Sequence, residues 1–215
     1  MLSTVEGLFI GRPKPFRGDS ASAIARDPAD GPIRLGWTGF EGDQVADPVH
    51  HGGWDKAVHL YPSDHYAFWR EKLSGNELIG DYGAFGENIT APGFTEETVR
   101  IGDRFRIGEA LLEISHGRQP CWKLDHHFGR GDIMATIVNT GRCGLYLRVI
   151  EEGAVSRGDI ISRETRADRD WTVARVFALL IRPGGDKDKA ELTALSQLET
   201  LAEDWRRRAK SLAEA

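Results

Sequence analysis

The pattern of apolar and polar positions changes character near residue 165. Up to about Arg163 it consists of short β-type runs bounded by Gly, Asp or Pro: Val5–Ile10, Ala57–Tyr61, Arg104–Ile107, Ala110–Ser115, Gly144–Ile150 and Asp159–Arg163. Two connections share one signature, in Val99-Arg100-Ile101-Gly102-Asp103 and in Val155-Ser156-Arg157-Gly158-Asp159. Each has an apolar residue, two further residues, then Gly-Asp, then a strand. Glycine supplies a φ that other residues resist, and aspartate ties the turn through its own backbone, so both read as tight strand connections. So many short strands suggest a barrel or folded-over sheet rather than a parallel α/β sheet. Two helices interrupt them. One starts at Ser63 and runs to about Leu73 with Tyr66, Trp69 and Leu73 on one face; the other is capped by Asp132, turns Ile133, Ile137 and Met134 inward, and ends at Gly141. Beyond Thr165 the periodicity is helical. One helix is expected over Trp171–Ile181, stopped by Pro183-Gly184-Gly185, then a short one over Asp188–Leu192. A final helix carries Leu198, Leu201, Trp205 and Leu212 on one stripe. The expected division is a mainly β (α+β) domain over 1–164 and a small three-helix bundle over 165–215.

Composition narrows the setting. The chain has 215 residues, 40% of them hydrophobic, enough for a sizeable core and one or two domains. No uncharged apolar run approaches a bilayer span, and the start, Met1-Leu2-Ser3-Thr4-Val5-Glu6, lacks the pattern of a secretory signal. No membrane association and a cytoplasmic location are therefore expected. The net charge of −5 argues against a broad nucleic-acid-binding surface. Arg206-Arg207-Arg208 reads as a solvated helix face. Two cysteines, Cys121 and Cys143, make no disulfide scaffold and suit a reducing compartment.

Candidate chemistry gathers in three segments. In Gly117-Arg118-Gln119-Pro120-Cys121-Trp122-Lys123-Leu124 a strand ends in a turn, which presents Cys121 at a rim. Arg118 and Lys123 favour its thiolate, the form that acts as nucleophile and metal ligand. The alternative is a buried structural cysteine, the reading that suits Cys143. Val49-His50-His51-Gly52-Gly53-Trp54-Asp55-Lys56-Ala57-Val58 is a polar, open-backbone loop able to approach an anion, or else a plain hairpin turn. Gly83-Ala84-Phe85-Gly86-Glu87-Asn88-Ile89-Thr90 reads alone as a bulged strand. The glycine-rich stretches match neither dinucleotide nor P-loop fingerprints. Zinc held by Cys121 with His126 and His127, and acyl transfer with Cys121 as nucleophile and His51 as base, remain weaker options, since neither has its local signature.

Taken in order, His51-Gly52-Gly53-x-Asp55-Lys56-Ala57-Val58, Gly83-Ala84-Phe85-Gly86-Glu87-Asn88, Arg118-x-Pro120-Cys121-Trp122-Lys123-Leu124 and Gly141-Arg142-x-Gly144-x-Tyr146-x-Arg148-Val149 resemble the MOSC domain, and within it the bacterial YiiM-type branch. The tail from Arg169-Asp170-Trp171-Thr172-Val173 resembles the three-helix domain of that branch. One departure is Ser115-His116-Gly117, where the family suggests a more polar run without glycine. The resemblance implies a mixed β-barrel and a molybdenum cofactor (molybdopterin) whose metal takes one protein thiolate, here Cys121, a soft ligand for a soft metal–sulfur centre. Lys14, Lys56, Arg118 and Arg142 are then the candidates for the phosphate tail, Asn88 for the pterin or substrate, and His51 and Asp55 for proton donation or positioning. The implied activity is reduction of small N-hydroxylated compounds, hydroxylaminopurines included, to the amine. Two cysteines cannot supply the thiolates an iron–sulfur cluster usually needs, so electrons would come from a separate reductase. A homodimer is admissible. The alternative is a sulfur carrier with a persulfide on Cys121; no lysine sits in a context that identifies a pyridoxal phosphate site.

Overall fold

The computed structural model describes residues 2–167, 170–184 and 187–215, without the side chain of His50. Arg169 and Gly185, which the sequence places at the start of the helical tail and in a helix stop, lie outside the described residues.

The main sheet has nine strands in the spatial order β1 (Leu2–Thr4), β14 (Ile160–Thr165), β10 (Arg104–Ile107), β11 (Ala110–Gly117), β12 (Leu145–Glu151), β8 (Val58–Pro62), β9 (Ile89–Ala91), β2 (Gly7–Ile10) and β5 (Asp27–Pro28), numbered along the chain. Beside it stand a small sheet of β13 (Gly153–Val155), β6 (Ile33–Gly36) and β7 (Gly39–Phe40), and a ribbon of β3 (Lys14–Arg17) and β4 (Ser20–Ser22). The six strands read from the sequence are found within two residues at their ends. Both Gly-Asp connections are built as expected. Gly102 and Gly158 take φ of 90° and 91°, while Asp103 accepts from the N–H of Arg100 (3.2 Å) and Asp159 from that of Ser156 (2.7 Å).

The sheet is mixed, β8 and β9 running parallel, but it is not closed into a barrel. Only Val5 and Glu6 separate β1 from β2, yet the two strands lie near opposite ends of the strand order. The sheet curls until its ends approach: Val5 donates to Asp159 O and Glu6 to Thr90 O, at 3.0 and 2.9 Å. No ladder pairs β1 with β2 or β5 among the described residues. Backbone continuity, rather than a ninth ladder, joins the rims.

Helices cover the sheet: α1 (Pro48–His51), α2 (Tyr66–Lys72), α3 (Trp122–His127), α4 (Ile133–Thr140), α5 (Val173–Leu180), α6 (Lys189–Ser196) and α7 (Glu203–Glu214). A 3-10 turn over Ser63–His65 precedes α2, which buries Tyr66 and Trp69 as its spacing predicts. Asp132 precedes α4 but caps nothing with its side chain, which pairs with Arg130 and Lys72 instead. Thr172 and Asp188 cap α5 and α6 through their side-chain oxygens. Leu198 and Leu201 belong to the turn before α7, so the last helix starts later than its apolar stripe. No helix of the described residues is long and apolar enough to cross a membrane.

Candidate functional site

One pocket of about 810 Å³, its open mouth included, collects most of the chemistry. Its floor comes from the inner end of β8 (His59), the loop before β9 (Gly86 and Asn88), Tyr146 of β12 and the turn after β11 (Arg118 and Cys121). Its sides come from Ser22, Ala23, Ile24 and Arg26, from 43–46, and from His51, Gly52 and Lys56.

Cys121 is half-buried and lines this pocket with a free thiol, whereas Cys143 is fully buried, its thiol pKa raised by burial and by Glu96. Arg118, only 7% exposed, has its main chain fixed by a 3.0 Å bond from its N–H to Gly144 O. Its Nη1 is buried without a hydrogen-bond partner. Buried donors are nearly always satisfied in native proteins, so this one is available to an acceptor bound in the pocket. His59 is similar. Its Nδ1 lies 3.2 Å from Gly86 O, while Nε2 is buried and unpartnered. Burial, and then Arg118, hold its pKa well below the usual histidine value, so the ring is neutral. His51 is held down to about 4, first by burial and next by Arg118 and Lys123, so it too is neutral at pH 7.

Of the residues expected at the site, Cys121, His51, Lys56, Asn88 and Arg118 line the pocket. Asn88 is committed elsewhere: both amide N–H groups donate, to Phe9 O (3.3 Å) and to Asp43 Oδ2 (3.0 Å), and its Oδ1 accepts from His59 N. It ties the floor together. Both its amide N–H groups are thus spent within the protein, which leaves only Oδ1 for the pterin or substrate it is expected to meet. Lys56 pairs with Asp204 of α7 at 3.1 Å.

Three expected residues are elsewhere. Asp55 binds Arg148 (2.8 Å) and accepts from the N–H of Glu203 (3.2 Å), so it clasps the helical tail and does not line the pocket. Lys14 sits exposed on β3, paired with Asp27. Arg142 lies over the Phe68 ring at 4.3 Å. Among the described residues no group of three or more His, Cys, Asp or Glu is arranged to hold a metal ion, and His126 Nε2 lies 3.2 Å from Phe16 O, away from any zinc set with Cys121.

Arg26, Asp43 and His59 were not singled out from the sequence. Arg26 pairs with Asp43, which also accepts from Gly11 N. Their partners lie 17 and 32 residues away, beyond any local pattern. His59 did leave a trace, as a polar side chain inside the apolar run Val58-His59-Leu60-Tyr61.

Comparison with known proteins gives the chain its family. The MOSC domain matches residues 47–162, and the YiiM-like 3-alpha helix domain matches 171–212. The uncharacterised protein YflK of Bacillus subtilis is 40% identical over 206 residues, covering 94% of this chain and 91% of its own. Protein YiiM of Escherichia coli is 35% identical over 200 residues, covering 93% of this chain and 88% of its own. Its crystal structure superposes with a TM-score of 0.82 at 30% identity, over 100% of this chain and 93% of that one. A protein named reductase from Gibberella moniliformis is 38% identical over 160 residues, 74% of this chain but 28% of that longer one. The MOSC domain family is associated with molybdenum cofactor binding and is often catalytic. The chain belongs to the MOSC domain family, with the YiiM-like three-helix domain following it.

Proposed function

We propose that this chain is a molybdenum-cofactor-dependent reductase of N-hydroxylated compounds, hydroxylaminopurines among them. The observation that carries the reading is the unpartnered Nη1 of Arg118 in the same pocket as the half-buried Cys121 sulfur. An anionic ligand would satisfy the first, and a soft metal the second. The residues fit the cofactor on these grounds. Cys121 would ligate the metal, and Arg118 with Lys123 would hold its phosphate, Lys56 joining them from the pair it makes with Asp204. When bound, the molybdenum centre supplies the two electrons that convert an N-hydroxyl compound, with two protons, into the amine and water; a separate reductase replenishes them. His51 and His59 are neutral at pH 7, so they offer hydrogen bonds rather than stored protons. The relative named reductase supports a redox role for a unit of this kind.

The test is anaerobic turnover of N-hydroxyadenine with reduced viologen by protein produced with molybdate, comparing wild type with Cys121→Ser. Stoichiometric molybdenum in the wild type and a loss of at least a hundredfold in kcat in the variant are expected. Equal rates would remove Cys121 from the metal. Metal-free protein carrying cyanide-labile sulfur would transfer the site to sulfur carriage.

A further inference from the structure

After β2 the chain leaves the main sheet as a hairpin and returns to it at β5. Both ends of the excursion are fixed. Gly11 donates to Asp43 Oδ1 (2.6 Å) and accepts from Gln44 N (2.8 Å), and Ile24 donates to Ser22 Oγ (3.2 Å). Between them β3 and β4 form a ribbon of their own, with no ladder to either of the other sheets among the described residues. Lys14, Pro15, Arg17, Gly18, Asp19 and Ala21 are exposed. A lone two-stranded hairpin is marginal in water, so this one depends on what it leans against. At its base, Ser22, Ala23 and Ile24 line the wall of the Cys121 pocket.

The support is α3, the helix that starts directly after Cys121. Lys123 Nζ donates to Ala21 O (3.1 Å), and His126 Nε2 lies 3.2 Å from Phe16 O. The Phe16 ring meets His126 edge-on at 4.7 Å and Trp122 at 5.9 Å, with the Arg17 guanidinium 5.9 Å from the same indole. Among the described residues, the hydrogen bonds and ring contacts that tie 12–21 to anything beyond Asp27 all go to this helix. They are few and face solvent, and elements held this way are the first to open. One of them reaches inside. Lys123 also lines the pocket that holds the unpartnered Nη1 of Arg118. Its ammonium carries three N–H donors, of which Ala21 O takes one.

We propose that the β3–β4 hairpin is a flap over the Cys121 pocket, hinged at Gly11 and Ile24 and fastened when an anion in the pocket draws on Arg118 and Lys123 together. In the empty protein the flap opens and closes. A bound anion holds Lys123 in place, and Lys123 in turn holds Ala21. A fixed wall would instead be stitched to a neighbouring strand, as β2 is to β9. The flap needs no redox chemistry, so it stands or falls separately from the reductase reading.

Cys121 itself reports on the flap, because Cys143 is fully buried and silent to thiol reagents. Alkylation of the ligand-free protein is followed with iodoacetamide, which is small, and with fluorescein maleimide, which needs the flap open. The ratio of the two rates cancels changes in the reactivity of the thiol. Phe16→Ala is expected to raise the fluorescein rate about five- to tenfold, the weight of one aromatic pair, and to leave the iodoacetamide rate within about twofold. Inorganic pyrophosphate is expected to slow fluorescein labelling more than iodoacetamide labelling in the wild type, and to lose that selectivity in Lys123→Met. Hydrogen exchange on the wild type needs no variant: the amides of 14–22 are expected to exchange ahead of those of β10 and β11, and to slow with pyrophosphate. Hairpin amides as protected as those of β11, or a Phe16→Ala variant that speeds both reagents alike, make the hairpin a fixed wall and overturn the flap. Pyrophosphate without effect, or slowing both reagents equally in the wild type, overturns the fastening through Lys123.

Discussion

A buried guanidinium nitrogen without a partner costs stability, and Nη1 of Arg118 is such an atom. Leaving a buried donor unsatisfied costs about 1–3 kcal/mol. Methionine has a similar reach and no polar head. Arg118→Met is therefore expected to raise the unfolding free energy of the cofactor-free protein by about 1 kcal/mol in urea titration, while molybdenum retention falls at least tenfold. A less stable variant would show that Nη1 already has a partner in the empty pocket. The opposite signs identify a residue kept for its ligand rather than for the fold. Asn88 makes the contrast. It shares the pocket wall, but its amide is spent on Phe9, Asp43 and His59, and its removal should damage folding and binding together.

At the scale of elements, the segment from Gly83 to Asn88 shows what the sequence can and cannot disclose. Its glycines and Glu-Asn pair were visible as a motif, yet alone they suggested a bulged strand. In the structure it is a loop wrapped around one carboxylate. Glu87, fully buried, accepts from Tyr66 Oη, from Gly83 N (2.9 Å), from Phe85 N (3.0 Å) and from Thr90 Oγ1 (3.1 Å). Four donors converging on one side chain define the loop, and one of them comes from a helix 21 residues away. Glu87→Gln turns an acceptor into an NH₂ donor facing donors. It should cost about 3 kcal/mol, read as a lower urea midpoint with the same fold by circular dichroism, an effect in line with breaking a buried charged network. An unchanged midpoint would mean that the loop holds itself. The same contrast runs through the rest of the fold. A strand with clear alternation, such as β10, was legible because one face is packed, and β11, buried throughout, because it is a long apolar run. The strands between Lys14 and Phe40 were not. They have two to four residues, all but β4 hold Gly or Pro, and they expose much of their surface, so no period could be read. The helix α3 was hidden for a related reason: six residues after Pro120 are too few to display a stripe.

The whole molecule explains why Asp55, expected at the site, does not line the pocket. The three-helix domain is locked to β11, the strand that leads into the turn carrying Cys121. A Cβ on Gly117 would stand 3.0 Å from Cys143 Sγ and from Val173 Cγ1 of α5, so this glycine, a departure from the family pattern, lets the helix approach. His116 lies 5.2 Å from the Trp205 ring of α7. Ala202 N donates to Ser115 O (3.2 Å), and Arg148 donates to Thr200 O (3.1 Å) and pairs with Glu113. Asp55 and Lys56 complete the seam through Glu203 and Asp204. A catalytic and a structural Asp55 predict different outcomes. In Asp55→Asn the amide nitrogen cannot accept from the Glu203 N–H, and Arg148 loses a charged partner. The unfolding free energy should fall by about 1–3 kcal/mol, with the tail becoming sensitive to limited proteolysis between the two domains. Turnover per bound molybdenum should stay within about twofold of wild type, because the carboxylate does not line the pocket. A drop of a hundredfold in turnover with unaltered stability would return Asp55 to the reaction. A gain in proteolytic sensitivity without loss of chemistry would fix its place in the seam, where it keeps α7 against Lys56 and thereby holds one wall of the pocket.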